Sequence, residues 1–293
     1  MKLINLLIST LLVSVVFSSL LLRKVNKNKK TLAKSATKWL ESMPKRVNQL
    51  NCDNCWANSI TTLVTTKYNI LNNIKGSAKR LSIQQVMDCV NDKAGKDVFG
   101  LSYTDESRIN VGAGCKALDQ NNAQYVVYII NTMISKYLTF VDYPVTQNWT
   151  DKSGSDGSFV PSNCVIEKTE KNNISFEGYK VEVNPLVASL TGQSDEDIES
   201  EIKEAVDKWG VILINVTTLP DSTKEIQKCD TKKSEFIHAM ILYGYDEKYW
   251  YVRNSWDEDK PLKYEINKND CGVETLGFYL KHEKTSKKRS SQK

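Results

Sequence analysis

Seven cysteines and two histidines are the thiol and imidazole groups available to this 293-residue chain. One stretch sorts them: Gln49-Leu50-Asn51-Cys52-Asp53-Asn54-Cys55-Trp56-Ala57. An odd cysteine count leaves one thiol over once the others pair. Cys55 is the candidate, because it precedes a segment (57–73) whose residues Ile60, Leu63, Val64, Tyr68 and Leu71 fall on one helical stripe. A helix start offers unpaired N–H groups and partial positive charge, which favour a thiolate and hence covalent catalysis. A thiolate of this kind needs a base, and the base needs an orienting group. His282 sits in a charged tail expected to be exposed. His238 opens the apolar run Phe236-Ile237-His238-Ala239-Met240-Ile241-Leu242. A lone histidine on an apolar strand is ordinarily a satisfied core residue. Here an orienter follows on the next strand, Tyr249-Trp250-Tyr251-Val252-Arg253-Asn254-Ser255-Trp256. Two antiparallel strands turning at Asp246-Glu247 place Asn254 beside His238, and Trp256 can shield the pair from water. Gln49 can donate its amide to a developing oxyanion, with the Cys55 backbone N–H as second donor. Reading Cys52-x-x-Cys55 as a zinc or redox pair requires a second ligand pair, and the sequence holds no other Cys-x-x-Cys and no His-x-x-x-His. No metal and no cofactor is expected.

The elements that must position these groups change texture along the chain. Besides 57–73, residues 81–89 predict a short helix capped by Ser82, with Gln85 at the capping-box position. Residues 121–137 predict another, with Tyr125, Ile129 and Met133 on one face. A charged segment, 195–208, predicts a third, exposed helix. Residues 90–114 and 144–176 read as loops. After Trp209-Gly210, the stretches Val211–Val216, Phe236–Tyr243, Trp250–Arg253 and Phe278–Leu280 are rich in β-branched and aromatic residues. Helices first and strands later give an α+β protein, with a cleft between the two halves as the natural site.

The chain is 40% hydrophobic and 26% charged, ample for one buried domain or two small lobes. Its net charge of +5 is concentrated at the ends, Lys24–Lys34 and Lys281–Lys293. These runs lack interleaved aromatics, so nucleic acid is not expected as a partner. Lys2 precedes an apolar run, Leu3–Leu22, which is either a secretory signal, with Ser18 and Ser19 near a cleavage point, or a single membrane anchor. The basic residues after it would hold the body of an anchored chain in the cytosol, where disulfides rarely persist. Export with cleavage agrees better with paired cysteines, and any membrane contact would be through this run alone. Of three Asn-x-Ser/Thr sites, Asn148 and Asn173 lie in polar loops and are expected to carry glycans. Asn215 lies in a buried strand and is not.

These residues carry a resemblance to the papain family of cysteine proteases. Gln49 through Ala57 resembles the family's Gln-Gly-x-Cys-Gly-Ser-Cys-Trp-Ala. Leu81-Ser82 through Asp88-Cys89 resembles Leu-Ser-Glu-Gln-x-x-x-Asp-Cys, while His238-Ala239-Met240 and Asn254-Ser255-Trp256 resemble His-Ala-Val and Asn-Ser-Trp. Cys271-Gly272-Val273 through Phe278-Tyr279 matches the C-terminal strand, and Trp39 a tryptophan near the start of the mature domain. The resemblance covers about 36–282. It implies two lobes, helical over about 50–190 and β over about 191–282, with Cys55 and His238 on opposite walls of the cleft. Before them would come the apolar run 1–22 and a short basic linker or propeptide, 23–38; a basic tail, 283–293, would follow. The resemblance implies catalysis by Cys55, His238, Asn254 and Gln49 on peptide or protein substrates. It also implies the pairs Cys52–Cys115, Cys89–Cys164 and Cys229–Cys271, and substrate contacts by Trp256, Leu276, Lys116 and Ala117. A monomer of the secretory pathway, extracellular or in a lysosome or vacuole, is the expected setting.

The pattern departs in places. Asp53-Asn54 replaces Gly-Ser, and a carboxylate there would oppose an oxyanion unless it faces solvent. Lys116, Ala117 and Leu118 stand where relatives carry x-Gly-Gly, and Asp257–Pro261 replaces a Gly-rich turn. His238 lies 183 residues after Cys55, beyond the spacing of about 130–150 usual for the family. Two rival readings follow. One is a papain-fold protein that binds peptides or a partner without efficient turnover; the other is an acyl-transferring relative using the same nucleophile.

Overall fold

The structure is a computed structural model that describes residues 38–50, 52–76, 80–90, 126, 127, 129–131, 134, 175–186, 194–229, 237–256 and 261–285. The apolar run 1–22, Cys115, Cys164, Lys116, Ala117, Asn148, Asn173 and the loops around them lie outside these residues, as does the Cys89 side chain.

Helix α1 spans Cys55–Leu71. Its start is set two residues earlier than the apolar stripe alone suggests, with Asn54 as N-cap. Its end is set by Asn73, which takes a left-handed conformation (φ 53°) while Ile74 N–H donates to Asn69 O at 2.8 Å. Asparagine tolerates that conformation better than most residues, and the pattern closes the last carbonyls. Ile60, Leu63 and Val64 of the expected stripe are buried and Tyr68 and Leu71 half-buried, while most of the other faces of the helix are buried too. Its hydroxyls manage this by bonding the preceding turn: Thr61 to Ala57 O, Thr62 to Asn58 O and Thr66 to Thr62 O. Helix α2, Ile83–Val90, packs on α1 and starts where the sequence predicts, with Gln85 N–H donating to Ser82 Oγ at 3.1 Å. Of the described helical residues 126, 127, 129–131 and 134, Val126, Ile129 and Ile130 are buried; Tyr125 and Met133 lie outside the described residues. Helix α3, Asp195–Trp209, is capped by Ser194 and carries Asp195, Glu196 and Asp197 in its first turn, which suits the helix dipole. The prediction of an exposed helix needs correcting: Ile202, Ala205 and Val206 are buried against the sheet.

Among the described residues seven strands form one sheet in the order β1-β7-β2-β4-β5-β6-β3. They are β1 (Tyr179–Pro185), β2 (Ile212–Val216), β3 (Ile226–Gln227), β4 (His238–Tyr245), β5 (Tyr249–Arg253), β6 (Leu262–Glu265) and β7 (Gly277–Lys284). All neighbours are antiparallel except β3 and β6. Strands β1, β3 and β6 go beyond the sequence reading. Strand β1 pairs along the whole of β7, from Tyr179 opposite Lys284 to Pro185 opposite Phe278. This corrects the placement of His282, which lies within β7 and is half-buried, with its ring edge-on to Tyr179 and Trp209. Two cores lie on the two faces of the sheet. One holds Trp56, Ile60 and Val64 of α1 with Leu213, Ile241, Phe278 and Leu280. The other holds Ile202 and Val206 of α3 with Ile214, Met240, Trp250 and Tyr264. Helix α1 packs against β4, so the element beginning at Cys55 lies against the element beginning at His238.

Candidate active site

Cys55 is the first residue of α1, is buried and takes part in no disulfide; Cys52, three residues before it, is disulfide-bonded. A second disulfide joins Cys229 and Cys271 and ties the segment after β3 to the turn before β7. Asp53, between Cys52 and Asn54, is exposed, so its carboxylate sits in water. Asn54 is fully buried: its amide N–H donates to Met87 Sδ (3.3 Å) and its Oδ1 accepts from Asn58 Nδ2 (3.1 Å). The Asp-Asn pair thus turns one side chain to solvent and uses the other to fasten the helix start to α2.

His238 is buried, and its Nε2 lies 2.7 Å from Asn254 Oδ1. The Asn254 oxygen also accepts the Ser255 backbone N–H at 2.8 Å. An atom that accepts from a backbone donor must be the carbonyl oxygen of the amide. Nε2 therefore carries the proton in this bond, which makes Nδ1 the basic nitrogen of the neutral ring. The Trp256 ring lies 5.1 Å from the imidazole, centroid to centroid, and covers it.

The hairpin register explains why these side chains meet. Near the turn, Tyr245 faces Trp250 and Gly244 faces Tyr251; further along, Leu242 faces Val252 and Ile241 faces Arg253. Tyr243 is an extra residue, a bulge that moves the pairing by one. Carried forward, the shifted register sets His238 opposite Trp256 and diagonal to Asn254, on the same side of the strand pair. Without the bulge Asn254 would project from the other side, because side chains alternate with period two.

Gln49 joins the two parts of the site. Its backbone N–H donates to Ser255 O at 2.7 Å, its Nε2 donates to Cys52 O at 2.9 Å, and its Oε1 accepts a short bond from Ser255 Oγ. A continuous chain of bonds therefore runs from the Cys52 carbonyl through Gln49 and Ser255 to Asn254 and His238. One turn beyond Cys55, Asn58 and Ser59 face Asn254 and Ser255 across a small cavity. Leu276 is buried in the core that α1 shares with the sheet, and its carbonyl accepts from Asn215 N–H.

Three buried charged side chains, one beside the site and two further off, escape sequence reasoning. Arg80, almost fully buried, donates to Lys45 O (2.9 Å) and Asn58 Oδ1 (2.8 Å). Glu274, also buried, accepts from Trp250 Nε1 (2.6 Å) and from the N–H groups of Asn267 and Asn269, and shapes the turn before β7. Burial pushes its carboxyl up, with these three donors opposing. Lys67, on α1, is 3% exposed; its ammonium donates to Trp209 O and lies 3.3 Å from His282 Nδ1. Burial brings it down to about 7. None announces itself by residue type, since lysine, arginine and glutamate are the residues least expected inside. No group of three or more His, Cys, Asp or Glu suited to a metal occurs among the described residues.

A thiol at a helix start, an imidazole held by an amide and a donor glutamine form the constellation of a cysteine peptidase, and the fold agrees. Solved structures that superpose on the chain include a digestive procathepsin L 3 of Tenebrio molitor larval midgut (TM-score 0.53, 15% identity, 82% of this chain and 67% of that one). Procathepsin B S9 from Trypanosoma congolense superposes with TM-score 0.53 at 17% identity, over 85% of this chain and 76% of that one. The Carica candamarcensis cysteine protease CMS1MS2 gives 0.52 at 15%, over 82% and 93%. The sequence profile described as papain family cysteine protease matches residues 35–280, and the chain belongs to that family. It is 25% identical to human cathepsin O over 239 residues, which is 77% of this chain and 59% of that relative's length.

Proposed function

We propose that the chain is a cysteine peptidase that hydrolyses peptide bonds through a Cys55–His238 pair and an acyl-enzyme thioester. The observation that carries this is the 2.7 Å contact between His238 Nε2 and Asn254 Oδ1, because it fixes the tautomer the reaction needs. With Nε2–H held, Nδ1 is the nitrogen that takes the Cys55 proton, giving thiolate and imidazolium. The thiolate attacks the peptide carbonyl. The Cys55 backbone N–H and the second N–H of the Gln49 amide, whose first is committed to Cys52 O, stabilise the oxyanion. Collapse expels the amine with a proton from Nδ1, leaving a thioester. Water, deprotonated by the neutral imidazole, then releases the acid and restores the thiol. Trp256 shields the imidazole–amide bond, and Leu276, Lys116 and Ala117 contact the substrate. Exposure of Asp53 removes the electrostatic objection to this chemistry.

The expected setting is the secretory pathway, outside the cell or in a lysosome or vacuole, acting as a monomer on peptide or protein substrates. The paired Cys229 and Cys271 support an oxidising compartment.

The test is covalent labelling at pH 5–6 with an epoxysuccinyl peptide, followed by mass mapping and turnover of a fluorogenic dipeptide substrate. The expected result is one adduct on Cys55, lost in Cys55→Ala, together with cleavage by the unlabelled protein. A Cys55 adduct with no cleavage would instead establish a binding protein on this fold, and transfer of the acyl group to an added amine in preference to water would establish an acyltransferase.

A further inference from the structure

Three arginines converge behind the site. Arg46, Arg80 and Arg253 line a small cavity with Asn58, Ser59 and Thr62 of α1 on one side and Asn254 and Ser255 on the other. About 10 Å³ of it is open to the centre of a water-sized sphere, about the least that admits one single-atom particle and none for a polyatomic oxyanion, so a halide, larger than water, would press the half-buried Arg46 and Arg253 side chains slightly apart.

The three positive charges have no ionic partner there. Among the described residues no carboxylate lies within ion-pair distance of any of the three, and their hydrogen bonds go to neutral acceptors: Arg253 to Pro44 O at 2.8 Å, Arg80 to Lys45 O, Asn58 and the two threonine hydroxyls of α1. Arg80 is 9% exposed, and its Nε–H, buried, has no hydrogen-bond partner. Position 83, where the family motif has glutamate, is Ile83. Like charges gathered in a region poor in water repel each other and cost solvation. Guanidinium cannot escape by shedding its proton, as lysine can. Burial and then the charge of Arg253 press Arg80 downward; burial likewise presses Arg253 downward, with Tyr243 opposing and Arg46 adding to it. A water molecule would fill the space but leave the charge uncompensated.

We propose that this cavity is a binding site for a monatomic anion, a halide, held by Arg46, Arg80 and Arg253 with the Arg80 Nε–H as one of its donors. The anion would neutralise the junction where α1 meets Asn254 and Ser255. It would thereby stabilise the arrangement of the site without taking part in the reaction. The proposal rests on packing and charge, and holds whether or not the chain turns over peptides.

The test uses the full chain in sodium chloride or sodium bromide against sodium gluconate at constant ionic strength, read by melting temperature. The expected result is a saturable rise with either halide and none with gluconate, with apparent halide affinity at least fivefold weaker in Arg46→Gln, a half-buried position. Crystals grown in bromide should give an anomalous peak among the three guanidinium groups of the unaltered protein, a measurement that needs neither the variant nor any activity. A melting temperature that follows ionic strength regardless of the anion, or bromide found only on the outer surface, would overturn the proposal. Halide-dependent melting without peptide cleavage would uphold it while removing the peptidase reading.

Discussion

Lys67→Met should stabilise the protein at pH 6 and lose that advantage by pH 9. The lysine is 3% exposed and burial lowers it from 10.5 to about 7. Each unit corresponds to about 1.4 kcal/mol, so holding the ammonium inside costs up to about 5 kcal/mol below pH 7. The sign follows from protons bound. Below pH 7 both folded and unfolded chains carry the charge and the folded state bears the whole cost. Between 7 and 10.5 the unfolded chain holds a proton that the folded chain has released, so stability rises with pH by about 1.4 kcal/mol per unit. Methionine has similar length and no charge to desolvate. It forfeits the bond to Trp209 O, leaving a carbonyl short of a donor at about 1–3 kcal/mol. The net expectation at pH 6 is a variant about 2–4 kcal/mol more stable. From pH 7 to 9 the wild type gains about 3 kcal/mol that the variant cannot, which closes the gap. Urea unfolding of both proteins at pH 6, 7.5 and 9 measures this, and other titrations cancel in the difference. A second readout is His282, which burial and then the Lys67 charge hold below its ordinary value; its proton NMR titration should move upward in the variant. A variant less stable than wild type at pH 6, or a gap that does not change with pH, would refute the reasoning.

Other outcomes follow from the same geometry. Asn254→Ala should lower kcat by about 10²-fold or more, since the imidazole loses the group that fixes its tautomer, and its melting temperature should fall because the Ser255 N–H loses its acceptor. Gln49→Ala should reduce kcat by about 10²–10³-fold with less change in KM, as removal of one oxyanion donor does; steady-state kinetics on a fluorogenic peptide decides both. Paired Cys229→Ser and Cys271→Ser should cost about 4 kcal/mol in urea unfolding, from the 42-residue separation that the bridge spans.

The parts of the site legible in the sequence are those fixed by short range. The thiol before a helix, the Ser82 cap and the strand–turn–strand holding His238 and Asn254 each fit within about 17 residues, where periodicity and turn chemistry speak directly. The register within that hairpin was not legible, because a single bulged residue leaves the hydrophobic pattern almost unchanged. Strand β1 does show a signal, the alternation of Tyr179, Val181 and Val183 between Lys180 and Glu182. It lies at the sheet edge, where burial is half-complete and the pattern faint. Without β1, β7 reads as ending before His282, which is why that histidine looks like part of a tail. The interior cations are invisible for a different reason. Lys67 and Arg80 are buried by partners far along the chain, Trp209 and Lys45, and composition carries no trace of such contacts.

The extra residue at Tyr243 also constrains how this hairpin can change. Adding or deleting one position between His238 and Leu242, or between Val252 and Asn254, would swing the amide to the far side of the ribbon and leave the imidazole unheld. A change of two in one arm keeps both groups on one side but slides them about 7 Å apart along the ribbon, which also breaks the contact, whereas changes at the Asp246–Lys248 bend leave it untouched. Insertions should therefore be tolerated at the bend and not along either arm alone.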